Sequence, residues 1–304
     1  MTVLETIQRS AGFLAKKGVD SPRLQAELLL AHALKLPRMK LYLNFERQLS
    51  PAETDAMREL VKRRGQREPL QHIVGSTSFC GIEIAVNRSV LIPRQETELL
   101  AEEGWKFLQG RAGSPLPAAN VKDGSMIERR GEDTASYHAL DFGTGSGCLA
   151  IALAVKCPGA EIFAVDVSAD ALEVAKQNAA RNSVVDRINF FQGDGFAALP
   201  EKAQFDLIIS NPPYIPSAEI EKLQAEVRDF DPRGALDGGA DGLDFYRRIA
   251  VEAPPFLKTN GKLLLEFGDG QSEAIRKIFE QEKWIVEAVR EDYTRRPRIL
   301  IAKL

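Results

Sequence analysis

The chain has 304 residues, of which 44% are apolar and 27% charged, with a net charge of −3. That is enough chain for two domains, or one large domain with an appendage, of ordinary globular composition. No apolar run approaches the roughly 18 residues that span a membrane. Met1–Ser10 carries Glu5 and Arg9 and lacks a signal-peptide layout. The three cysteines (Cys80, Cys148, Cys157) and three histidines (His32, His72, His138) are scattered. This argues against a disulfide framework and against a metal cluster, so no metal is expected and a reducing cytoplasm is the expected compartment.

Charge is unevenly spread. Met1–Gly75 holds 13 Lys/Arg against 8 Asp/Glu, a balance of +5, and the remainder stands at −8. A basic first quarter on an acidic body suggests a partner touched by the N-terminal part; solvated helix faces give the same pattern.

Residues 1–75 read as a helical bundle for substrate recognition. Leu4, Ile7, Ala11 and Leu14 recur at helical spacing, with Gly18 as a stop. A second helix opens at Asp20-Ser21-Pro22, carries Leu24, Leu28 and Ala31 on one face, and ends by Pro37. A third starts from the capping box Ser50-Pro51-Ala52-Glu53 and closes on Lys62-Arg63-Arg64, cations that suit a helix C-terminus. Residues 76–95 then read as a β-hairpin linker, with Phe79, Ile82, Ile84 and Val86 apolar and Gly81 and Asn87-Arg88 as turn signals. Ile92–Glu98 leads into a helix through Trp105 and Leu108. Residues 109–136 are rich in glycine, proline, serine and charge without periodicity and read as a flexible surface loop.

Beyond Tyr137, strands expected near Tyr137–Phe142, Glu161–Val165, Ile188–Phe191, Phe205–Ile209, Gly261–Phe267, Trp284–Val289 and Arg298–Ala302 alternate with helices such as Cys148–Lys156 and Ala169–Arg181. Such alternation implies an α/β fold with a seven-stranded, mostly parallel Rossmann-like sheet over residues 96–304; a short polar link makes the last two strands an antiparallel edge.

Two stretches carry chemistry. Leu140-Asp141-Phe142-Gly143-Thr144-Gly145-Ser146-Gly147 closes the first large-sheet strand and opens its helix. A dinucleotide fingerprint wants glycine where Cys148 stands, which disfavours a pyrophosphate. Asp166 ends the second strand, where an acidic residue meets ribose hydroxyls, and Asp194-Gly195 follows the third, where an adenine amino group could be held. A nucleoside without phosphates fits these sites best and points to S-adenosylmethionine; helix–strand packing and turn formation would use the same residues. The second stretch is Asn211-Pro212-Pro213-Tyr214, just past the apolar run Phe205–Ser210. The prolines stop the strand and remove backbone donors, so an amide and bare carbonyls sit at a strand end, suited to gripping an –NH2 group. An Asn-Pro turn closing a core strand is the simpler alternative.

With both stretches present, the chain resembles class I S-adenosylmethionine-dependent methyltransferases that act on amino groups. Arg67–Gly75, Val90–Glu98 and Ala235–Tyr246 narrow the resemblance to the peptide chain release factor N5-glutamine methyltransferases (the HemK/PrmC family) over nearly the whole length. Gln95 stands where that family usually has a second proline, and the 109–136 stretch is long.

The resemblance implies methylation of the glutamine in the Gly-Gly-Gln motif of class-1 release factors, with S-adenosyl-L-homocysteine as product. A monomeric enzyme with no membrane partner and no direct nucleic-acid substrate is expected. In this scheme Asn211 and Pro212 accept the two N–H bonds of the acceptor amide, Pro213 completes its site, and Tyr214 packs on the amide plane. Gly143, Thr144, Gly145, Ser146, Gly147, Asp166, Asp194, Gly195 and Asn211 hold the cofactor. Adenine-N6 methylation of nucleic acid and glutamine methylation of a ribosomal protein are the alternatives, because both use the same Asn-Pro-Pro-Tyr motif; a non-catalytic cofactor-binding scaffold is a third. Arg94, Glu96 and Glu98 could touch ligands or cap the helix that follows them.

Overall fold

A computed structural model of the chain describes residues 1–111 and 137–304. It divides into two compact units: Met1–Ser76 with Val86–Arg88 and Glu221–Asp231, and Thr77–Ala85 with Ser89–Ile220 and Pro232–Leu304. No described helix is long and apolar enough to cross a membrane.

The first unit is built from α1 (Val3–Lys16), α2 (Pro22–Leu34), α3 (Arg38–Tyr42), α4 (Pro51–Gly65) and α5 (Leu70–Val74). Thr2 and Ser50 both close reciprocal capping boxes, with Glu5 and Glu53 respectively, which satisfies the first free amides of α1 and α4. Ile7, Leu14, Leu29, Leu30, Leu41 and Met57 fill the core. The buried face of α2 differs from expectation: Ala26, Leu29, Leu30 and Ala31 point inward, whereas Leu24 is 42% exposed. With leucine at 24, 28, 29, 30 and 34, apolar residues surround the helix and spacing alone does not choose a face.

The basic end of α4 is only partly solvated. Arg63 pairs with Glu68. Arg64 is buried, donating to Gln25 Oε1 at 2.5 Å, to the Glu68 carbonyl at 3.1 Å and to Glu226 Oε1 at 2.7 Å. Arg67 reaches the other Glu226 oxygen at 2.5 Å. Glu226 comes from a segment far downstream that belongs to this unit, so the helical unit is not continuous in sequence.

In the second unit, β1 (Ser76–Phe79) and β2 (Ile82–Ala85) form the hairpin. Cys80 and Gly81 both have positive φ, 52° and 76°, the pairing of a type I′ turn. Helix α6 (Gln95–Arg111) follows. It takes in residues 109–111, expected in the surface loop; the rest of that expected loop, 112–136, lies outside the described residues. Then come β3 (Tyr137–Phe142), α7 (Cys148–Lys156), β4 (Ala160–Asp166), α8 (Ala169–Arg181), β5 (Ile188–Gln192), β6 (Phe205–Ser210), α9 (Ala225–Arg228, part of the first unit), α10 (Asp244–Glu252), β7 (Leu257–Glu266), α11 (Ser272–Gln281), β8 (Ile285–Glu291) and β9 (Pro297–Lys303).

The seven-stranded sheet has the order β5-β4-β3-β6-β7-β9-β8. Strands β3 to β7 are parallel, and β9 runs antiparallel to β7 and, as the short final link requires, to β8. All six residues of β6 are buried, as are Leu149–Ala154 of α7, which fits a sheet covered on both faces. Chain order reverses between β3 and β6, so the carboxyl ends of these two strands flank the crevice where open α/β sheets bind ligands.

Candidate active site

The glycine loop leaves β3 beside β4. Gly143 and Thr144 amides both donate to the Val165 carbonyl, at 2.9 and 3.0 Å. Gly147 has φ 81° and sits at the start of α7, where a Cβ would lie 3.0 Å from that of Ala175. Glycine is thus required there both for the left-handed backbone and for the close helix packing. Below the loop, buried Asp141 accepts from Thr144 Oγ1 at 2.6 Å and from the Ala150 amide at 3.0 Å. Burial pushes its carboxyl up to about 7. From α8, Asn178 Nδ2 donates to the Ser146 carbonyl at 2.9 Å and to that of Ala85 at 3.0 Å, and its Oδ1 accepts from the Ala85 amide at 2.8 Å. One buried amide side chain therefore ties the glycine loop to the hairpin.

Asp166 closes β4 with both carboxylate oxygens engaged, Oδ2 by the Gly145 amide at 2.8 Å and Oδ1 by that of Ser168 at 2.9 Å. The carboxylate is held rigidly and keeps lone pairs for a further donor. Asp194 differs from the simple picture of a bare carboxylate, because Arg248 of α10 pairs with it and also donates to its carbonyl at 3.0 Å. Gly195 fits against Phe142 and Arg248, where a Cβ would come within 2.9 Å of both.

The Asn-Pro-Pro-Tyr motif leaves β6 next to this loop. Ser210 Oγ donates to the Phe142 carbonyl at 2.6 Å, pinning the ends of β6 and β3 together. The loop Ala235–Leu243 packs on the motif's backbone: the Ile215 amide donates to the Leu236 carbonyl at 3.0 Å, and the Gly238 amide to that of Ile215 at 2.9 Å. A Cβ on Gly238 would stand 2.8 Å from the Pro213 carbonyl. Gln271, at the start of α11, donates to the Tyr214 carbonyl at 2.9 Å.

One cavity is walled by both stretches. Gly143, Thr144, Gly145, Ser146, Asp166, Asp194 and Gly195 face it from one side and Asn211, Pro212 and Pro213 from the other. Gly147 and Tyr214 do not line it. Tyr214 packs on the sheet's core cluster instead, and burial pushes its phenol up to about 12. Of the three residues left open near Ile92, Arg94 lines the cavity, Glu98 accepts from the Cys80 amide in the hairpin turn at 2.8 Å, and Glu96 stands in the first turn of α6.

Two residues that sequence reasoning passed over complete the setting of Asn211. Asn211 Nδ2 donates to Thr97 Oγ1 at 3.1 Å, and the buried Glu266 carboxylate neighbours both side chains. Thr97 and Glu266 are each only 2% exposed. Phe245 and Arg248 of α10, within and just after the Ala235–Tyr246 stretch, also line the cavity.

The walls suit a nucleoside carrying no phosphates. Cβ atoms on Gly143 and Gly145 would meet nothing within 4 Å, so the loop backbone is open to a ligand. Carboxylates stand at the ends of β4 and β5, and of the two arginines that line the cavity, Arg94 and Arg248, the latter is paired with Asp194.

Residues 5–75 match the family model of the PrmC N-terminal domain, and residues 125–227 match that of the methyltransferase small domain. The chain is 44% identical over 278 residues to the release factor glutamine methyltransferase of Geobacter sulfurreducens, covering 91% of this chain and 88% of that one. It is 44% identical over 276 residues to the enzyme of the same description from Chlorobaculum tepidum, covering 90% and 87%. Among solved structures, the hMettl16 catalytic domain in complex with an RNA hairpin aligns with a TM-score of 0.50 at 17% identity, over 73% of this chain and 75% of that one, a likeness of fold. The chain belongs to the release factor glutamine methyltransferase family.

Proposed function

We propose that this chain transfers a methyl group from S-adenosylmethionine to the side-chain amide nitrogen of the glutamine in the Gly-Gly-Gln motif of class-1 release factors, giving S-adenosyl-L-homocysteine. One observation carries the reading: Asn211, Pro212 and Pro213 at the end of β6 line the same cavity as the glycine loop of β3, at the point where strand order reverses. The family relationship supports the choice of glutamine over adenine as acceptor.

Gly143, Thr144, Gly145, Ser146, Asp166 and Gly195 hold the cofactor, which when bound supplies an electrophilic methyl group. Gly147 acts from behind the loop by packing α7 on α8, and Asp194 acts together with Arg248. An amide nitrogen is a weak nucleophile because its lone pair is delocalised into the carbonyl, so positioning carries much of the barrier. Asn211 Oδ1 and the Pro212 carbonyl accept the two N–H bonds of the acceptor, turning its lone pair towards the cofactor side of the cavity. Both oxygens also stabilise the positive charge that grows on nitrogen as the N–C bond forms and the S–C bond breaks; one N–H proton is then lost to solvent, leaving the neutral N-methyl amide. Tyr214 supports this arrangement from the core side through its backbone. The helical unit contributes to recognition of the release factor, in the cytoplasm and on a monomeric enzyme.

The test is methyl transfer from labelled S-adenosylmethionine to a full-length class-1 release factor and, separately, to DNA. The reading requires label on the release factor, mapped to its Gly-Gly-Gln glutamine and absent from a Gln→Ala release factor. Label on DNA alone would overturn it.

A further inference from the structure

Strand β7 runs parallel to β6 with Ser210 opposite Leu265, so the residues that follow, Asn211 and Glu266, stand side by side at the carboxyl end of the sheet. The position of Glu266 is tightly held. Its carbonyl accepts from the Tyr246 hydroxyl at 2.8 Å, and the next carbonyl, that of Phe267, accepts from Arg298 at 3.2 Å. Its side chain is buried, within reach of Thr97 and Asn211, while Oε2 has no hydrogen-bond partner among the described residues. A buried carboxylate is costly unless it is paired or hydrogen-bonded.

We propose that Glu266 and Thr97 are positioning residues for Asn211, holding its Nδ2 group against the sheet so that Oδ1 faces the acceptor amide. Proton count sets the orientation of the Asn211 amide. An ionised carboxylate only accepts, and a threonine hydroxyl has a single proton. Directing that proton at Glu266, whose Oε2 has no other partner among the described residues, would leave Thr97 Oγ1 only lone pairs for Asn211, which Nδ2 meets at 3.1 Å. Turning the Asn211 amide over would set Oδ1 against the carboxylate and the hydroxyl oxygen, three acceptors sharing one proton. The favoured orientation is the one in which Oδ1 is free to receive an N–H from substrate. This rests on the reading of Asn211 as the acceptor grip.

The same count makes the device sensitive to protonation. Burial pushes the Glu266 carboxyl up to about 7, opposed by the neighbouring Thr97, Arg298 and Asn211. The charged and titratable groups that face it are Arg298 of β9, Glu96 of α6, Tyr246 of α10 and Tyr214, with Arg94 acting on Tyr214. A protonated Glu266 can donate to Thr97, which frees the threonine proton for Asn211 Oδ1 and makes the overturned amide equally satisfied.

The experiment compares wild type, Glu266→Gln, Thr97→Val and Thr97→Ser in steady-state methylation of a full-length class-1 release factor, with cofactor binding measured calorimetrically and folding checked by thermal melt. If wild type methylates no glutamine, the functional reading itself fails, separately from this inference. Given an active wild type, Glu266→Gln and Thr97→Val are expected to lower kcat by up to about 10²-fold, the size of effect seen when an aimed polar group is lost. Cofactor affinity and the KM for release factor should be unchanged, and Thr97→Ser, which keeps the hydroxyl, should retain kcat. The kcat of wild type should fall on the acid side of neutrality and that of Glu266→Gln should not. In addition, Glu266→Gln should cost nothing further when added to Asn211→Ala. A folded Glu266→Gln with full kcat, or a loss that adds to that of Asn211→Ala, overturns the proposal. Should Glu266→Gln fail to fold, equal kcat in Thr97→Val and Thr97→Ser overturns it as well.

Discussion

Gln271 Nε2 donates to the Tyr214 carbonyl at 2.9 Å, while its Oε1 accepts from the Gly268 amide at 2.9 Å. One side chain thus lashes the loop after β7 to the far end of the acceptor motif. Replacing it with Leu leaves a backbone acceptor and a backbone donor without these partners, at a cost of about 1–3 kcal/mol. We expect Gln271→Leu to lower the urea midpoint and to reduce kcat on release factor while cofactor affinity holds. Loss of cofactor affinity instead would place its main effect on the other wall of the cavity.

Asn178 has the complementary role on the cofactor side, where it satisfies both backbone groups of Ala85 and the Ser146 carbonyl. Asn178→Leu removes three hydrogen bonds from a fully buried site. It should destabilise by about 2–3 kcal/mol and weaken cofactor binding more than it affects turnover at saturating cofactor. Calorimetric titration with S-adenosylmethionine separates the two effects.

The Arg64–Glu226 pair is a stability feature of the helical unit. Arg64 is only 4% exposed, and its removal would leave Glu226, among the described residues, paired with Arg67. Arg64→Met should cost about 2–3 kcal/mol in chemical denaturation, less than a fully orphaned buried charge because Arg67 remains. Exposed Lys62, two residues earlier, should change stability by no more than about 0.5 kcal/mol when replaced by Gln. Earlier melting of Lys62→Gln than of Arg64→Met would contradict this division.

Asp141 makes stability depend on pH. Its carboxyl sits at about 7 in the fold, against an ordinary 3.8. Between these values the native state keeps a proton that the unfolded chain has released, so the contribution of this group falls as pH rises through the window and is level above it. Glu266, also pushed up to about 7, acts with the same sign. Asp141→Asn keeps an oxygen for Thr144 and Ala150. It should flatten the decline in melting temperature between pH of about 5 and about 8; an unchanged slope would show that other groups set it.

Much of the sheet is legible in the sequence because its strands are short apolar runs bounded by charge, glycine or proline. Strand β6 and helices α7 and α8 lie where patterning puts them. Helices α3 and α5 are five residues each, too short for periodicity to register. The burial of Arg64 is invisible locally, because its partner Glu226 lies 162 residues away. Among site residues, the glycine loop and Asn211 stand out through glycine and proline chemistry. Thr97 and Glu266 carry no such mark. One reads as an ordinary residue in a helix start and the other as the polar end of an apolar strand, and only the parallel register of β6 and β7 puts Glu266 beside Asn211.

The central claim is that the Asn211 amide grips the acceptor glutamine. The most direct measurement is single-turnover methylation of a full-length class-1 release factor by Asn211→Ala, beside calorimetric binding of S-adenosylmethionine to the same protein. We predict a rate at least about 10²-fold below wild type, with cofactor still bound. Near-wild-type methyl transfer by a cofactor-bound Asn211→Ala would contradict the account.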